Sequence, residues 1–285
     1  MTDFGFSLVI LRVIVYIATI AAAGGVLFAL SFPFAATEIS RNIQRQVVFG
    51  CALLFAVEPV RYIAAQLVMA QGDWTLAFSA ELRWVAMQTP IGQAAAVRLF
   101  AALALLWTLG LRSALARLLP AIAIIVSFLL EGHSASADVR SAFVSTVLLM
   151  HLGAAHWWLG SLCPLFRLTR QSDAMILVST MEAFSSVAVW IVAALVIAGA
   201  LLLGLLTNWT LRIDSAYQIR FALKLGLVVG LLSLAAWNKW HLVPLLHRDR
   251  KAGTARLAAS IWTEMLAGLL ILTATASAIS SGPDD

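Results

Sequence analysis

Charge is what this sequence has least of. Only 12% of its 285 residues are Asp, Glu, Lys or Arg, against 62% hydrophobic residues. A soluble domain has about 25% charged and about 45–50% apolar residues, so this chain is built for a different solvent. Cysteine is almost absent: Cys51 and Cys163 each sit inside an apolar run, so no disulfide framework and no paired-thiol motif exists, and each reads as a small buried hydrophobe. There is no HExxH, no phosphate-binding loop and no DKTG. A zinc protease, a nucleotide-driven pump and a phosphorylated pump are therefore unsupported, and no enzyme activity is expected. The net charge of +5 comes from basic residues scattered among short loops, with no basic arm or aromatic RNA-binding signature, so no nucleic-acid partner is expected.

What fills the chain instead is long apolar runs. Runs of 18 or more such residues read as membrane helices, and eight are expected at about 7–30, 46–70, 90–111, 118–137, 141–166, 174–206, 217–246 and 255–280. The fold class is then all-α, a single polytopic bundle over residues 1–285 in contact with membrane lipid. The first run follows an acidic MTDFGF without a clear small-residue cleavage site, and is expected to be a span rather than a signal. Residues 73–88, DWTLAFSAELRWVAMQ, are too short and polar to span. Their Trp74, Leu76, Trp84 and Met87 suit an interfacial helix. One set of loops carries ten basic residues, among them Arg41, Arg167, Arg248 and Lys251, and the opposite set three, Arg83, Arg140 and Arg212. Basic loops face the cytoplasm, which predicts both termini outside, in the periplasm of a Gram-negative cell.

Ionisable residues inside the spans cost about 2.5–3.5 kcal/mol each on insertion scales and therefore need partners or a purpose. They are Arg12, Glu58, Arg61, Arg98, Glu182, Lys224 and Glu264, with His133, His151 and His156. Glu58 and Arg61, three apart, can pair on one helix. Arg12, Arg98 and Lys224 either snorkel to the surface or hold carboxylates in place. At 1.5 Å per residue His133 lies near the outer end of the fourth span and His151 roughly 15 Å into the fifth. His156, Glu182 and Glu264 reach a similar inner level, and the series descends toward a candidate cluster of these three. The stretch MHLGAAHWWLG, 150–160, holds two of the histidines beside a thioether, Met150. His151 and His156 are about 140° apart around a helix and do not easily chelate one ion together. Imidazole and thioether favour copper and other soft or borderline metals over hard cations. Graded depth points to transport or redox chemistry, with hydrogen bonding between helices as the plainer use of each histidine.

Four stretches resemble the copper resistance protein D family of bacterial inner-membrane proteins. EGHSA at 131–135 is similar to its SGHAA-type segment, with Glu131 in place of a small residue. HLGAAHWWLGSL at 151–162 is similar to its histidine-bearing helix, matching at His151, at Trp157 or Trp158, and at Gly160. LKLGLVVGLLSLAAWNKWHLVPLL at 223–246 resembles its Lys-bearing seventh helix, through Lys224, Asn238, Lys239, Leu242 and Pro244, and RLAASIWTEML at 256–266 its last helix. The resemblance implies copper import across the inner membrane in copper tolerance, with the copper ion as substrate and His133 and His151 as the metal candidates. It also implies a periplasmic copper-binding carrier as partner. His156 has no counterpart in the family pattern and is expected to be an auxiliary metal candidate. Glu182, Glu264 and Met150 are candidate ion-path or charge-compensating residues. The alternative is a membrane redox protein whose histidines ligate haem.

Overall fold

A computed structural model describes residues 3–111, 113–131, 139–171, 173–207 and 216–280. In hydrocarbon every backbone N–H and C=O must be satisfied within its own segment, which leaves the helix as the solution for an apolar run. The described residues are accordingly helical and contain no strand. The helices are α1 (Asp3–Ser31), α2 (Pro33–Glu38), α3 (Ser40–Met69), α4 (Trp74–Ala77), α5 (Ala80–Gln88), α6 (Pro90–Thr108), α7 (Ala114–Val126), α8 (Val139–Gln171), α9 (Ala174–Thr207), α10 (Ala216–Trp237), α11 (Val243–Arg248) and α12 (Arg250–Ser280). Among the described residues six stretches are long and apolar enough to cross a membrane: Leu8–Ser31, Ser40–Met69, Pro90–Thr108, Ala142–Gln171, Ala174–Leu205 and Arg250–Ser277. Leu115–Leu129 is a shorter apolar helix, its end tightened into a 3₁₀ turn at Ser127–Leu129.

The first helix is the hub. It packs against α3, α7, α8 and α12, and its sequence ATIAAAGG at 18–25 explains why: small side chains let neighbouring backbones approach. A Cβ on Gly50 of α3 would fall 2.6 Å from the Ala18 carbonyl oxygen, and one on Gly24 would fall 2.5 Å from the carbonyl oxygen of His156 on α8. Both contacts require glycine. Gln46 of α3 locks the same junction by donating to the carbonyl oxygens of Ala21 and Gly160, at 3.3 and 3.0 Å. Large apolar side chains face outward, with Trp107, Trp190 and Phe100 each more than 70% exposed. Such a surface belongs against lipid.

The stretch 73–88 is two short helices rather than one. Asp73 accepts the N–H groups of Thr75 and Leu76 to start α4, and Ser79 accepts that of Leu82 to start α5. The Ser79 cap competes with continued helix, and so divides the segment. A second irregularity follows α10, where Asn238–Leu242 forms a π turn before α11.

Candidate functional site

His151 and His156 both lie on α8, His151 half-buried and His156 buried. The Nδ1 of His151 is 3.1 Å from the carbonyl oxygen of Leu195 on α9. The Nδ1 of His156 is 2.8 Å from the carbonyl oxygen of Leu152, one turn back on its own helix. A carbonyl oxygen only accepts, so both Nδ1 atoms carry the proton, and in the neutral ring the lone pair sits on Nε2. For His156 that Nε2 is buried without a hydrogen-bond partner. A second contact holds the His151 ring: Gly199 on α9 faces it so closely that an added Cβ would lie 3.2 Å from Cε1. His133 lies outside the described residues. Met150 is exposed, facing away from the bundle.

The inner carboxylates do not gather around His156. Glu264 is buried on α12 and accepts from the Asn238 side-chain amide, whose oxygen in turn accepts from Ser260 at 2.5 Å. Asn238 opens the π turn, a rare element that is frequent at functional sites. Lys239, the next residue, donates to the Ser185 carbonyl oxygen of α9 at 3.5 Å. Glu182 on α9 is instead 54% exposed and pairs with His247 of α11 at 2.8 Å. Among the described residues no three His, Cys, Asp or Glu side chains are grouped to hold a metal together.

A larger ionic assembly lies elsewhere. Arg98 on α6, fully buried, directs Nη1 to Glu58 at 2.8 Å and to Glu131 at 2.6 Å, and donates from Nε to Ser127 at 2.8 Å. Arg61 on α3 bridges the same two carboxylates at 3.1 Å each. Two guanidinium groups thus balance two carboxylates in a medium where any single unpaired charge would cost several kcal/mol. The Arg98 guanidinium also lies 4.3 Å from the centre of the Phe128 ring, a cation–π contact. The His156 and Tyr16 rings approach Phe128 from 6.0 and 5.8 Å. Phe128 thereby joins the ionic assembly to the buried histidine.

Sequence spacing identifies the Glu58–Arg61 pair, and of the two roles open to Arg98 the structure selects holding carboxylates. Glu131 was legible only as a departure from the family pattern. The Glu182 partner, His247, had no signal at all, because it lies 65 residues away on a helix end.

A family profile described as "Copper resistance protein D-like, N-terminal domain" matches residues 1–142, and one described as "Copper resistance protein D" matches residues 178–278. No curated protein and no solved structure matches the chain. The first match holds Glu58, Arg61, Arg98 and Glu131; the second holds Glu182, Asn238 and Glu264; His151 and His156 fall between the two. With both matches in chain order over an all-helical membrane architecture, the chain belongs to the copper resistance protein D family and has a role in copper resistance.

Proposed function

We propose that this chain imports copper across the bacterial inner membrane, passing the ion along intramembrane histidines. His133 and His151 are the principal contacts and His156 an auxiliary one. The observation that carries the reading is the state of the α8 imidazoles. Each is oriented by an Nδ1–H bond to a backbone carbonyl, the arrangement that orients metal-binding histidines and leaves Nε2 as the ligand atom. In His156 that atom is buried and unpartnered, and a desolvated lone pair with nothing to bind is costly unless a ligand meets it. Copper suits imidazole, whereas Met150, exposed on the outside of the bundle, does not share the path of the buried His156.

The finer assignments belong to the same proposal. The chain is one membrane domain over residues 1–285, crossing eight times, with α4 and α5 at the interface and both termini in the periplasm. It receives its substrate from a periplasmic copper-binding carrier and is not an enzyme. Glu264 and Glu182 lie on the exit path toward the basic face, Glu264 as a buried carboxylate held by a neutral amide and Glu182 as an exposed one paired with His247.

Metal analysis of the purified wild type beside His133→Ala, His151→Ala and His156→Ala tests the reading. Copper bound by the wild type and lost from the first two variants supports it. Unchanged copper in a well-folded His133→Ala/His151→Ala double variant removes the site. A Soret absorption band would redirect the assignment to the haem alternative, and failure of this chain alone to take copper into proteoliposomes would make it a docking partner instead.

A further inference from the structure

The basic end of the bundle holds a feature that copper handling does not use. Helices α8, α9 and α12 enclose a groove of about 1000 Å³. Its mouth carries Arg170, Arg250 and Lys251, and its wall includes Phe166, Ala259 and Trp262. Among the described residues no carboxylate pairs with any of the three cations. Arg170 lies over the Phe166 ring at 4.8 Å, which keeps its guanidinium at the groove. The acids next to the groove in the chain have capping roles: Asp173 accepts the Met175 N–H at 2.7 Å and Asp249 that of Ala252 at 3.0 Å, each at the start of its own helix.

We propose that this groove binds an anionic phospholipid, with the phosphodiester between Arg170, Arg250 and Lys251 and an acyl chain running along α12. Three details of the groove favour a lipid over a small anion. The cations sit where the membrane-length stretches Ala142–Gln171, Ala174–Leu205 and Arg250–Ser277 begin or end, the ends that a bilayer places among its headgroups. Below them Ala255, Ala258 and Ala259 leave a shallow channel on α12 that larger side chains would fill. Trp262, half-exposed in the same groove, lies about 17 Å along the helix axis from Lys251, at the depth of acyl chains. A phosphate ion would use the cations and leave this apolar channel uncovered. Basic pockets between membrane helices recognise lipid phosphates by the same electrostatics.

Native mass spectrometry of the detergent-purified full chain, titrated with phosphatidylglycerol or phosphatidylcholine of identical acyl chains, tests the site. The expected result is one retained phosphatidylglycerol and weaker retention of phosphatidylcholine. Retention should fall on the order of 100-fold in Arg170→Gln/Arg250→Gln/Lys251→Gln, about fivefold per cation removed. Ala259→Leu, which fills the channel without touching charge, should also weaken it. Phosphatidylglycerol with brominated chains should quench wild-type fluorescence, and Trp262→Phe should abolish that increment, a readout that needs no charge variant to fold. Equal retention of the two lipids, displacement of phosphatidylglycerol by millimolar inorganic phosphate, or quenching unaffected by Trp262→Phe would each overturn the proposal.

Discussion

Arg98 and Glu58, on α6 and α3, expose no surface and meet at 2.8 Å. That contact is the centre of an electroneutral assembly completed by Arg61 and Glu131. It fixes the mutual rotation of two membrane helices and the end of α7, because a guanidinium in hydrocarbon has no substitute partner.

Breaking the assembly should therefore be costly. Arg98→Met leaves two carboxylates to one guanidinium and should destabilise the fold by about 3–5 kcal/mol. Thermal unfolding in detergent, with folded yield as a second measure, reads the effect. The double variant Arg98→Met/Glu58→Met should lose less than the sum of the single losses. Strictly additive losses would mean that the two side chains are not coupled.

Helix contact at the hub makes a second prediction. Gly24→Ala forces its methyl against the His156 carbonyl oxygen and the Gly160 backbone, and overpacking of this kind costs about 1–3 kcal/mol. Gly153, on the same helix as His156, has nothing within 4 Å of an added Cβ, so Gly153→Ala should stay within about 0.5 kcal/mol of wild type. Equal melting temperatures for the two variants would contradict the close α1–α8 packing.

Copper accumulation in cells separates the two histidines of α8. His151→Ala and His133→Ala should each lower it on the order of tenfold with the protein level retained. His156→Ala should be milder, since its nitrogen adds to a path that it does not begin. A larger loss at His156 would reverse the ranking and make its buried Nε2 the principal contact.

Glu264→Gln retains shape and the contact with Asn238 while removing the charge. We expect folded protein with copper accumulation reduced on the order of tenfold. Glu182→Gln should be weaker, because that carboxylate is half-exposed and already shared with His247. Should both variants accumulate copper normally, neither residue lies on the ion path.

Orientation is checked by reporter fusions. A reporter after Asp285 should be active only as a periplasmic fusion, and one within 247–256 only as a cytoplasmic one, following the ten-to-three excess of basic residues. A cytoplasmic C-terminus would invert the assignment.

The sequence by itself determined the membrane class, the all-helical fold and several of the long apolar helices. Hydropathy and helical period are local quantities, summed over neighbours in the chain, and a bilayer permits few alternatives. It also picked out the ionisable residues, since each is conspicuous against an apolar background, and it paired Glu58 with Arg61 because three residues on a helix set their geometry. It expected one helix at 73–88, where the local cap at Ser79 makes two. It also gathered Glu182, Glu264 and His156 at one level, because depth along an axis can be counted while rotation about it cannot. Tertiary packing decided the rest. Arg98 meets Glu58 and Glu131 from 40 and 33 residues away, Glu182 faces His247 rather than His156, and Glu264 finds Asn238 through a π turn. Each of these contacts depends on which face one helix presents to another, as α1 meets α3 and α8 where Gly50 and Gly24 let the backbones close.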